Sequence, residues 1–121
     1  KLTYTQLQNA AGNFVSPTIE TFQAAAANAD WKNAPGYYMV LTNQPGEQSW
    51  PITGASFILL YREQQDLNRA KVMLAFFDWC FKQGIDIAKG LDYVPVPSEV
   101  VEMVEATWSK EVKAGGQSVW P

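Results

Sequence analysis

The chain has 121 residues, 47% of them hydrophobic and 17% charged, with a formal net charge of -3. That is enough chain for one modest core and too apolar for a disordered segment, while the negative balance argues against a nucleic-acid or anionic-membrane partner. It contains no histidine and a single cysteine, Cys80, which removes the commonest general base, the commonest zinc ligand and any intrachain disulfide.

Taken in order, Leu2–Gln8 has a strand-like composition around Thr3, Tyr4 and Thr5, and Gly12-Asn13 marks a turn. Ser16-Pro17 reads as a helix cap followed by proline at the first helical position. Ile19, Phe22, Ala26 and Ala29 then recur at helical spacing, and the helix is expected to end before Pro35-Gly36. Tyr37–Thr42 is β-prone. The polar stretch from Asn43 to Ser49 reads as turn, and Trp50 before Pro51 is biased towards an extended conformation. Ser56–Tyr61 (SFILLY) is an almost unbroken apolar run, predicting a strand covered on both faces as in a parallel sheet. Even its longest apolar part, Phe57 to Tyr61, is far too short to span a bilayer.

Beyond it the pattern turns helical. Asp66 is placed as an N-cap, with Ala70, Met73, Leu74, Phe77 and Phe81 as one apolar stripe, Asp78 and Lys82 as an i, i+4 pair, and Gly84 as the stop. Ile85–Gly90 reads as a short helical turn and Tyr93–Pro97 as a stiff, extended connector. Ser98 or its neighbour opens a final helix whose stripe is Val101, Val104, Trp108 and Val112, with Gly115-Gly116 ending it before a polar tail. Alternating helices and strands predict an α/β fold.

Four groups of residues invite a chemical reading. Cys80, between Trp79 and Phe81, is either a buried structural thiol or a nucleophile, and the second lacks a histidine to activate it. Glu99, Glu102 and Glu105 are spaced as one helix face, either solvated or metal-binding. Thr53-Gly54-Ala55-Ser56 has the composition of an anion-cradling turn, but it precedes a strand rather than a helix and lacks a following lysine; the plainer reading is a turn. Arg62 and Arg69, the two arginines, sit beside a helix start. No catalytic set is visible, so the expectation is a protein that is not an enzyme, with no cofactor and no metal.

The block Leu41–Leu60 (LTNQPGEQSWPITGASFILL) resembles the C-terminal region of the phosphate-binding protein of bacterial phosphate ABC transporters, the PstS family. So, in order, do Ser16-Pro17 with the helix running to Ala29-Asp30-Trp31, Phe76-Phe77-Asp78-Trp79, and Leu91-Asp92-Tyr93-Val94-Pro95-Val96-Pro97 leading to Val100-Val101 and Trp108. The resemblance covers only the last part of that family's chain. It implies the C-terminal portion of a two-lobed type II periplasmic binding protein fold, with residues 1–49 as the closing segment of the second lobe and 50–121 as the hinge crossing and return to the first. Its implied function is to bind phosphate, an inorganic oxyanion, in the periplasm and deliver it to the permease of an ABC uptake transporter. The family's phosphate ligands lie upstream, so no ligand-binding residue is assigned here, and Thr53-Gly54-Ala55-Ser56 matches a scaffold segment. A start at Lys1 rather than Met implies either that something upstream was removed or that the chain begins inside a larger protein. The expected partners are the N-terminal part of the same protein, or another copy through self-association. The alternative is a stand-alone interaction module built on a receptor-derived scaffold.

Overall fold

The computed structural model describes residues 3–121. The chain divides into two compact units, one ending at Phe57 and the other beginning at Ile58. Residues 50–57 belong to the first of these units. The fold is mixed α and β with two small sheets.

The first unit opens with β1 (Leu7–Gln8) and β2 (Phe14–Val15), paired antiparallel across a turn at Gly12, whose φ of +85° suits glycine. The expected strand at Leu2–Gln8 shortens to β1; Leu2 lies outside the described residues. Helix α1 (Ile19–Ala27) is capped by Thr18, not by Ser16. The Thr18 hydroxyl accepts from the Thr21 amide at 3.4 Å, the Thr21 hydroxyl accepts from the Thr18 amide at 3.0 Å, and Thr21 also donates to the Ser16 carbonyl at 2.7 Å. This reciprocal cap outcompetes Ser16 because it satisfies two orphan amides at once. The buried face follows it, centring on Thr21 and Ala25, while Ile19 faces solvent. Short 3₁₀ turns at Trp31–Asn33 and Pro35–Tyr37 end the helical stretch. Trp31 is buried, with its indole N–H on the Ala26 carbonyl at 2.6 Å.

In the second unit β3 (Glu63–Gln64) pairs parallel with β4 (Lys113–Ala114), which pairs antiparallel with β5 (Gln117–Ser118). A parallel pair needs a crossover, and here it holds all three remaining helices: α2 (Leu67–Lys82), α3 (Ile85–Gly90) and α4 (Ser98–Glu111). Asp66 caps α2 as expected, accepting from the amides of Asn68 and Arg69 at 2.9 and 3.0 Å. Gly84 lies just past the end of α2 as expected, and glycine is needed there because a Cβ would lie 2.8 Å from the Cys80 carbonyl oxygen. The core joins Ala70 and Leu74 of α2 to Trp108, Val112, Ala114 and Val119, with Met73, Phe77, Phe81 and Val104 packed around them. Trp108 stacks on Phe81 at 6.0 Å and takes Trp120 edge-on at 5.6 Å.

Two expectations about this half change. The final helix stops at Glu111, and Gly115-Gly116 instead forms the β4–β5 turn, both residues at positive φ. The polar tail is tied down: Val119 is buried, and the Ser109 carbonyl at the end of α4 receives both the Lys113 ammonium at 2.9 Å and the Ser118 hydroxyl at 2.8 Å.

The larger correction concerns strands. Neither Tyr37–Thr42 nor Ser56–Tyr61 forms one. Leu59 is 93% exposed and Tyr61 85%, where cover on both faces was expected. β-propensity in these runs is real, but a strand exists only through a neighbour to pair with; among the described residues neither run has one, although Leu41 is buried and Leu60 packs against the second unit's core.

Candidate functional site

The turn with anion-binding composition follows Trp50. That residue is buried in the first unit, its amide donating to the Thr21 carbonyl at 2.9 Å and its ring meeting Phe22 at 6.0 Å. Thr53 is buried too, and its hydroxyl donates to the Trp50 carbonyl at 2.9 Å. Its single proton is thereby committed. Gly54, Ala55 and Ser56 run exposed and outside any helix or strand, so they bring no aligned set of amides to a common point.

The loop before Trp50 is the better organised element. Asn9, buried under it, extends its amide nitrogen to three of its carbonyls, Gly46 at 3.2 Å, Glu47 at 2.8 Å and Ser49 at 3.2 Å. Its carboxamide oxygen accepts the amides of Ala11 and Asn13, which closes the β1–β2 turn. Ser49, fully buried, donates to the Pro45 carbonyl at 2.6 Å and receives the Asn28 side chain at 3.2 Å. Gly46 is required twice over: its φ is +113°, and a Cβ would fall 2.3 Å from the Asn28 amide nitrogen. The motif Asn43–Ser49 therefore builds a rigid scaffold loop, its polar atoms turned on one another. The sequence had hidden Asn9 as an ordinary turn residue; its signal was the Asn9-Ala10-Ala11-Gly12-Asn13 spacing, that of a side chain closing a turn on its own backbone.

The arginines sit at the start of α2. Arg62 pairs with Glu111 at 3.2 Å. Arg69 borders an open depression of about 380 Å³ lined also by Tyr61, Glu63, Gln64, Gln65 and Asp66. The α2 N-terminus there is already filled by the Asp66 carboxylate, and Glu63 accepts the Gly115 amide at 3.0 Å. Two carboxylates against one guanidinium repel rather than invite a multiply charged anion.

The acidic residues of α4 separate. Glu99 and Glu102 are exposed, whereas Glu105 is half-buried and meets the Lys82 ammonium at 2.9 Å. Lys82 also pairs with Asp78 one turn back on α2. Asp78 Oδ1 and Glu105 Oε1 are shut off from water, and the ammonium is what each faces. The hydrogen bond from Lys82 holds the Asp78 carboxyl below its ordinary value of 3.8. The same bond, with a second to Glu105, raises the Lys82 ammonium above 10.5. This cluster fastens α2 to α4. Cys80 is half-buried rather than buried.

Comparison with known proteins gives a consistent picture. No protein-family model matches the chain. It is 49% identical over 121 residues to the phosphate-binding protein PstS of Pasteurella multocida, covering 99% of this chain and 35% of that protein. With PstS of Haemophilus influenzae it shares 49% over 113 residues, 93% of this chain and 34% of the other. PstS of Xylella fastidiosa gives 49% over 113 residues, 93% of this chain and 31% of the other. The chain spans about a third of the length of the curated relatives it matches.

Proposed function

Since the chain belongs to the PstS family of phosphate-binding proteins, we propose that it is the C-terminal part of a receptor that captures inorganic phosphate. The receptor works in the periplasm and hands its ligand to the permease of an ABC uptake transporter, by binding and release without covalent chemistry. The observation that carries this is near-half identity along almost the whole chain to several PstS proteins. Among the described residues no helix is long and apolar enough to cross a membrane, which is compatible with that setting.

Within a two-lobed receptor, residues 1–49 serve as the closing segment of the second lobe and 50–121 as the crossing and return to the first. The pinned loop Asn43–Ser49, leading into the buried Trp50, suits a fixed anchor beside a crossing. The chain alone does not hold phosphate. Capturing a strongly hydrated oxyanion means replacing its water shell with many fixed donors. Here the Thr53 hydroxyl, Arg62 and the α2 N-terminus already have internal partners, and the net charge is -3.

Calorimetric titration separates the parts of this reading. The 121-residue chain should show no saturable heat with phosphate, while a chimera carrying it in place of the matching segment of the Pasteurella multocida relative should bind one phosphate tightly. A chimera that folds yet ignores phosphate would remove the receptor reading. A tight one-to-one site on the chain alone would relocate the ligands to it, with Thr53, Gly54 and Ser56 the first to substitute. The exposed run around Leu59 keeps a second reading open, a stand-alone interaction module, which requires a stable oligomer at this length.

A further inference from the structure

The stretch Phe76-Phe77-Asp78-Trp79 is parcelled out three ways by α2. Phe77 packs against the core, Asp78 pairs with Lys82, and Phe76 and Trp79 turn outward, their rings stacked at 6.4 Å and 17°. Val72 stands one turn before Phe76, so Val72, Phe76 and Trp79 form an i, i+4, i+7 row on the side away from the core. Their exposures are 71%, 56% and 41%. Between Lys71 and Lys82 every exposed residue of α2 is apolar: Val72, Ala75, Phe76 and Trp79. A helix apolar on two opposite sides is a buried helix, and α2 is buried here on one.

We propose that this outer face of α2 is a permanent docking surface for the part of the longer receptor that the 121 residues do not include. The proposal rests on the PstS reading. Two observations select this occupant. The relatives are about three times as long, so most of the protein's own chain lies outside these residues. The face also lacks the charges that surround transient contacts: interfaces that form and release are about as polar as ordinary surface, whereas a row without charge over two turns resembles a core cut in half. A transporter that must let go of the receptor is a poor match to it. The aromatic pair supplies the anchor, since stacked rings offer large area with few rotatable bonds.

Hydroxyl-radical footprinting read by mass spectrometry tests this without altering the protein. Phe76 and Trp79 should oxidise readily in the 121-residue chain and several-fold more slowly in the chimera with the Pasteurella multocida relative. Equal rates in both overturn the proposal. So does protection in the chain alone that grows with concentration, because a second copy is then the occupant. Phosphate titration of the same chimera keeps the two ideas apart: binding with Trp79 unprotected sinks this inference and spares the receptor reading, and protection without binding does the reverse. A second assay supplies the remaining two thirds of the relative as a separate chain and measures capture. Phe76→Lys should weaken capture by at least about tenfold, as a charge placed in an apolar contact must, and undiminished capture by that variant overturns the proposal.

Discussion

All four buried polar residues among those described, Asn9, Thr21, Ser49 and Thr53, lie in the unit that ends at Phe57, whereas the buried side chains after Ile58 are apolar. The first unit combines buried apolar side chains such as Trp31, Leu41 and Trp50 with donors that hold carbonyls, whereas the second is closed by hydrocarbon. The two respond to substitution differently. An apolar core loses stability in proportion to what is deleted and can relax into the gap. A buried polar junction fails at once when a donor goes, because each carbonyl left behind keeps its desolvation cost. A loop that must hold one shape is better fixed by the second means, and the loop Asn43–Ser49 is where the chain uses it.

The contrast breaks first at its apolar end. Leu74 is fully buried at the centre of the second unit, and Leu74→Ala should cost about 2–5 kcal/mol by urea unfolding, with hydrogen exchange accelerating through α2 and α4. Accelerated exchange around Asn9 instead would mean that the division into units does not describe stability. At the polar end, Asn9→Leu keeps the branched shape at a larger volume and removes every side-chain hydrogen bond, leaving three carbonyls facing hydrocarbon; the expected cost is about 2–3 kcal/mol, read as faster exchange confined to residues 9–50. Gly46→Ala should cost roughly 1–3 kcal/mol through strain at a φ of +113° and the clash with Asn28, and Asn28→Ala in the same chain should recover part of it.

Asp66→Ala comes next, at about 1 kcal/mol, since it strips α2 of its cap and leaves the core untouched.

The smallest effect is a pH dependence. Asp78 is held below 3.8 when folded, so its contribution is complete above that value and is lost as the pH falls through the lowered pKa. Lys82 is raised above 10.5, so its contribution is complete below that value and is lost as the pH rises past it. Between these limits the cluster should add no slope to stability. Lys82→Met turns the two carboxylates on each other and favours protonating one, so the deficit of that variant should shrink as the pH is lowered from neutrality. A deficit that stays constant down to the carboxylate range would show that the two oxygens do not feel each other.

What the sequence determined by itself is local. Asp66 and Gly84 bound α2 because a cap and a stop act within a few residues of where they stand, and the stripe of Ala70, Leu74, Phe77 and Phe81 follows from 3.6 residues per turn. Membership of the PstS family was also legible, since four ordered blocks carry it and no ligand is needed to see them. The tertiary structure decided what depends on a neighbour. It chose Thr18 over Ser16 as cap, made Gly115-Gly116 a hairpin turn, stacked Phe76 on Trp79 away from the core, and left Ser56–Tyr61 without a partner strand. Apolar composition says that a side chain avoids water, but not which surface will cover it, and Leu59, Phe76 and Trp79 stand exposed in this structure.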